Sequence, residues 1–169
     1  RFSADIPAMQ EVVTRSVDPD GGGVQDMTLF CFDSYGLFTT TVEAKVTPTG
    51  NGAGLTGNFE AEVPENTRTV HFLANQNMSE FKEDKFRNKS EAEVMALLEG
   101  SSGRMIYWAR FTCDPDNDSK IDAQMADKGN TIKMIRNHAQ VSIDNPINGW
   151  IEVTGFVAYN TNAFGTVAP

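Results

Sequence analysis

The chain has 169 residues, enough for one well-buried core and short for two. Apolar residues make up 40% of it, yet no run approaches the ~20 that a membrane-spanning helix needs. The formal net charge of −9 sets the chain against nucleic acid and anionic membrane surfaces, and otherwise serves solubility.

The sequence opens at Arg1 without an initiator Met, as expected of a mature form, a proteolytic product or a trimmed piece. Phe2, Ala4 and Ile6 alternate with polar residues, which predicts a short strand closed by Pro7. A segment rich in Asp, Pro and Gly follows from Ser16 to Gly23, so Arg15 stands at the lip of a loop where a trypsin-like protease would find an accessible site. Val24 to Phe32 is apolar on both alternating sets, which predicts an interior strand. Asp33-Ser34-Tyr35-Gly36 is a turn, and Leu37 to Val46 is rich in Thr and Val, as strands are.

Pro48 to Gly57 carries four glycines and reads as a mobile loop. Phe59, Ala61 and Val63 alternate with Glu60 and Glu62 in a half-exposed strand ending at Pro64. Thr67 to Asn75 is the next strand. Ser90 followed by Glu93 has capping-box spacing, and Val94, Leu97 and Leu98 recur at helical intervals, which predicts a helix over 91–99 with a looser piece before it.

Met105 to Cys113 returns to strand, and Asp114 to Asn130 reads as a polar connection. In Ile135 to Ile143 the odd positions are Ile, Asn, Ala, Val and Ile, which predicts a strand burying that set. A turn cluster from Asp144 to Gly149 and a strand from Trp150 to Tyr159 make it a hairpin. The last ten residues have the look of a linker or a cut end. Short strands without alternating helices predict an all-β, antiparallel β-sandwich of seven to eight strands with one short helical insertion, forming a single domain over 1–169.

Few residues suggest chemistry. Asp114, Asp116 and Asp118 stand two apart with Asp122 beyond, as in a calcium loop, but Ser119 occupies the usual glycine position and Met125 that of the bidentate Glu. A solvated acidic loop is the plainer reading. His71 and His138 are the only histidines, each on a predicted strand and read as structural. Trp108 and Trp150 could stack on sugars or simply pack. Cys31 and Cys113 are expected reduced and buried, with pairing the alternative. No nucleophile, metal-protease or phosphate-loop motif is present, so neither an enzyme nor a cofactor is expected.

Several stretches together resemble the fimbrillin-type pilins of Bacteroidales fimbriae. Met134-Ile135-Arg136-Asn137-His138-Ala139, within Thr131–Ile143, is similar to an Arg-Asn-containing strand late in that family's N-terminal domain. Gly155 to Asn160 and Phe164 to Pro169 resemble the close of the domain, and Met27 to Asp33 and Val70 to Asn75 resemble two core strands. The resemblance implies a Greek-key, transthyretin-like sandwich, a lipoprotein precursor and a place in an outer-membrane-associated fimbria at the cell surface.

It further implies that an Arg-specific protease cuts between Arg15 and Ser16, releasing residues 1–15, the first strand and processing segment. The vacated groove then takes a strand from a neighbouring subunit. The lipid anchor would belong to the precursor alone, and the donor strand to a C-terminal domain that this sequence lacks. The alternative from another class is a carbohydrate- or protein-binding adhesin module using loops 48–57 or 114–130.

Overall fold

The computed structural model describes residues 2–5, 24–49, 56–76, 78, 82–98 and 106–137. Within them the strands are β1 (Phe2–Asp5), β2 (Met27–Phe32), β3 (Phe38–Thr49), β4 (Thr56–Glu60), β5 (Thr69–Ala74), β6 (Tyr107–Thr112), β7 (Thr131–Lys133) and β8 (Ile135–Arg136). The helices are α1 (Glu91–Leu97) and α2 (Ile121–Asp127), with a single 3-10 turn at Glu83–Lys85. Among the described residues no helix is long and apolar enough to cross a membrane.

The strands form one sheet in the order β7-β1-β4-β3-β2-β5-β6-β8. Every pairing is antiparallel except β1 with β7. The long strand β3 joins the two halves of the sheet. Its residues up to Ala44 pair with β2, and those from Lys45 onward pair with β4. The outermost strands, β7 and β8, are separated in the chain by Met134 alone. One residue spans only a few ångströms of backbone, so the sheet curls until its edges meet at Met134, whose side chain is buried in the core.

Curling covers the inward face of the central strands and the segment around α1 covers the outward one, so β2 and β5 are buried along their whole length. Inward lie Met27, Leu29 and Cys31 of β2 and Val70, Phe72 and Ala74 of β5, packed with Phe59, Ile132 and α2's Ile121 and Met125. The outward set, Phe30, Phe32 and Leu73, is roofed by Phe38, Phe86, Val94, Leu98 and Ile106. Phe86 meets Phe30 edge-on with ring centroids 5.5 Å apart and lies 5.4 Å from Phe38. Each such buried ring stabilises the fold by about 1.5–3 kcal/mol.

The predicted helix forms with its capping box. Ser90 Oγ accepts from the Glu93 amide, and the Glu93 carboxylate accepts from the Ser90 amide at 2.8 Å. Other boundaries differ from expectation. Pro48, Thr49 and Gly57, read as loop, pair across the β3–β4 hairpin, whereas β4 stops at Glu60 and short of Val63. The connection after Cys113 contains α2, whose Ile121, Gln124 and Met125 are buried at helical spacing.

The strand predicted over 135–143 is corrected most. Burial alternates without interruption through 131–137 but with the even positions inward, so Ile132 and Met134 are buried while Ile135, expected on the buried face, is 50% exposed. Residue 138 onward, including the predicted strand 150–159, lies outside the described residues. Cys31 and Cys113 are both free and buried. They sit on β2 and just past β6 with β5 between, roughly 9–10 Å apart laterally at ~4.8 Å per strand and too far to pair. Burial pushes the Cys31 thiol up to about 11, so it stays an unreactive core group.

Candidate functional site

Two places stand out, a strand seat and a polar cluster. The seat belongs to β1. On one side its residues Phe2 to Asp5 pair antiparallel with Phe59 to Thr56 of β4. On the other, Ser3, Ala4 and Asp5 pair in parallel with Thr131, Ile132 and Lys133 of β7. β1 is thus an interior strand, and both neighbours carry core residues beside it, Phe59 at 1% exposure and Ile132 at 7%. Without β1 the facing edges of β4 and β7 would lose their backbone partners. Each unpaired buried N–H or C=O costs about 1–3 kcal/mol, so an emptied seat would favour any strand that restores the ladder.

The cluster lies on the outward face of the sheet, where β5 and β6 pair beneath the start of α1. His71 and Arg110 are direct cross-strand partners, and Trp108 sits two residues before Arg110 on the same face. The capped start of α1 brings Glu91 over them. The Trp108 indole N–H donates to His71 Nδ1 at 3.0 Å. An indole can only donate, so Nδ1 is the accepting nitrogen, and Nε2 carries the proton and donates to Glu91 Oε1 at 2.6 Å.

Arg110 grips the same carboxylate through Nε to Oε1 at 2.5 Å and Nη2 to Oε2 at 3.1 Å. That contact, before all others, holds the Glu91 carboxyl below the usual carboxylate range. Burial lowers His71 and outweighs the opposing pull of Glu91. The imidazole is therefore a neutral bridge between sheet and helix.

This cluster lines an open depression of about 560 Å³ together with Tyr35, Gly36 and Met95. The Tyr35 wall is rigidly built. Asp33 Oδ1 accepts from the Tyr35 and Leu37 amides at 2.8 and 3.0 Å, and Gly36 takes a positive φ of 71° to close the turn. The Gly36 carbonyl then accepts from the Glu91 amide, fastening the turn to α1. Tyr35 is left 86% exposed, so its ring does almost no packing.

The sequence-predicted residues fall as follows. Arg15, Ser16 and Trp150 lie outside the described residues. Trp108 is half-buried in the cluster, and His71, read as structural, is its pivot. Asp114, Asp116 and Asp118 do not assemble a cation site, and no metal-binding group of His, Cys, Asp or Glu occurs among the described residues. Asp114 Oδ1 accepts from the Asp116 amide.

The loop is held instead by the buried Gln124. Its Oε1 accepts from the Asp114 amide at 2.7 Å, and its Nε2 donates to the carbonyls of Asn117 and Ser119 at 3.0 and 2.9 Å. A neutral amide thereby ties both ends of the loop together through one backbone donor and two backbone acceptors. Sequence reading missed Glu91, Arg110 and Tyr35 as site residues. Their only signal was relational, namely the pairing of His71 with Arg110 and the placing of Glu91 by the capping box.

Compared with protein-family models, curated proteins and solved structures, the chain matches none of them.

Proposed function

We propose that this chain is a structural subunit of a cell-surface fimbria, assembled by strand exchange after proteolysis removes its first strand, and that its fold is a Greek-key sandwich of the transthyretin kind. The observation that carries the reading is the seat of β1, a short strand paired on both sides, with β4 and with β7. The Greek-key reading is supported by strand order. β2, β3 and β4 follow one another across the sheet and β5 returns beside β2.

Strand addition derives affinity from main-chain hydrogen bonds, and a slot between β4 and β7 offers them on two edges. The resemblance to fimbrillin-type pilins supplies the biological setting, with Arg15 and Ser16 as the processing site, an Arg-specific protease and other fimbrial subunits as partners, and a lipid anchor in the precursor.

Limited digestion with an Arg-specific protease tests the proposal. The expected product is a folded core beginning at Ser16 that binds a synthetic peptide of residues 1–15 once the native segment has been washed away. Cleavage at other arginines while Arg15 persists, or a cut core indifferent to the peptide, would defeat it.

A further inference from the structure

The depression between Tyr35 and Trp108 has no part in strand exchange, and its construction is that of a binding site. Its walls are preorganised. The turn that carries Tyr35 is braced by Asp33, docked on α1 through Gly36 and continued by the Leu37–Ser90 bridge. Its floor is cross-linked, since His71, Trp108, Glu91 and Arg110 form one connected network. An aromatic ring held 86% exposed on a rigid turn contributes nothing to the core, and a partner that covers it would gain most of that area.

The charges in the depression narrow the class of ligand. Arg110 and Glu91 neutralise each other, and His71 is held neutral by the indole N–H on Nδ1. The site thus has no net charge with which to hold an anion or a cation, and the chain as a whole, at −9, disfavours acidic ligands. What the Arg110–Glu91 pair offers instead is a donor and an acceptor side by side. Among the described residues only part of the five-donor guanidinium fork is engaged, and the Glu91 carboxylate accepts three bonds, from His71 Nε2 and from Arg110 Nε and Nη2, of about four it can take. Adjacent hydroxyl groups, each both donor and acceptor, match such a pair, and the apolar face of a pyranose matches the aromatic walls.

We propose that this depression binds a neutral sugar ring, stacked against Tyr35 and Trp108, with neighbouring hydroxyls held by Arg110 and Glu91. The site differs from loops 48–57 and 114–130, and the proposal does not depend on strand exchange.

The test is an NMR titration of the isotope-labelled chain with mannose, galactose, glucose, N-acetylglucosamine and their disaccharides. At least one should give saturable shifts confined to the Trp108 indole, the Arg110 Nε–H and the Tyr35 ring. Tyr35→Ala, a change at an exposed position that leaves the fold intact, should weaken that binding at least tenfold, or about 1.4 kcal/mol, while Tyr35→Phe should keep it. The proposal is overturned if no neutral sugar saturates at tens of millimolar, or if Tyr35→Ala binds as well as the parent. Glucuronate binding tenfold tighter than its neutral counterpart would overturn it too.

Discussion

β1 and the α1 segment are both laid onto the same curled sheet, and they are held in different ways. β1 is joined along both edges by backbone pairing, to β4 and to β7. The α1 segment reaches the sheet chiefly through side chains, with Phe86, Val94 and Leu98 plugged into the outward apolar cluster and Glu91 clamped by His71 and Arg110. Backbone pairing asks little of sequence, which is why the proposed strand exchange is placed at β1. Side-chain packing depends on particular shapes, so the α1 segment has no substitute. One sheet thus carries a permanent cover and, in the proposed function, a strand open to exchange.

The sharpest way to break that contrast is at the permanent cover. Phe86→Ala should cost about 3–5 kcal/mol in urea denaturation, because losing a fully buried ring that contacts Phe30 and Phe38 leaves a cavity in the outward cluster. A loss below ~1 kcal/mol would mean that the segment from Phe86 to Leu98 rides loosely on the sheet. Next in size is Gln124→Leu, which keeps volume but orphans the Asp114 amide and the carbonyls of Asn117 and Ser119. A loss of about 2–3 kcal/mol is expected, without any rescue by calcium.

At β1, Ser3→Pro should cost about 1–3 kcal/mol by removing a ladder N–H, whereas Ser3→Ala should stay within about 0.5 kcal/mol. Equal losses in the two variants would show that the side chain, and not the backbone, seats β1.

Much of this architecture was legible wherever one local rule acted alone. Ser90 and Glu93 announced the start of α1, and apolar residues on both faces of Met27–Phe32 announced an interior strand. Reading failed where two elements shared a stretch. Around Met134 the chain leaves one sheet edge and joins the other while keeping one alternation, with Ile132 and Met134 inward and Ile135 outward, so the apolar odd set of 135–143 pointed to the wrong face. α2 was hidden because the turn-forming residues of Asp114–Ser119 dominate the start of that segment, although Ile121, Gln124 and Met125 have the spacing of a buried helix face. The polar cluster was beyond reach for a different reason. Arg110 and Glu91 acquire meaning only when β6 is paired with β5 in the observed register and α1 is docked above them.

The smallest effect concerns the joint between cover and sheet. His71 and Glu91 are both shifted downward, so each favours the folded state in its deprotonated form. Their contributions are complete above the unfolded values of 6.5 and 4.5 and are lost as pH falls through the lower folded values. Stability should therefore decline on acidification from neutrality. The His71 part is modest, since burial and Glu91 pull its titration in opposite directions.

NMR titration of the two histidines can isolate it. The His71 ring should titrate below 6.5 in the parent chain and higher in Trp108→Phe, where Nδ1 no longer faces an indole N–H and is free to take a proton. A His71 titration at or above 6.5 in the parent, or one that Trp108→Phe leaves in place, would mean that the indole does not fix the tautomer. The neutral bridge between α1 and the sheet would then have to be redrawn as an ordinary ion pair, with the opposite dependence on pH near neutrality.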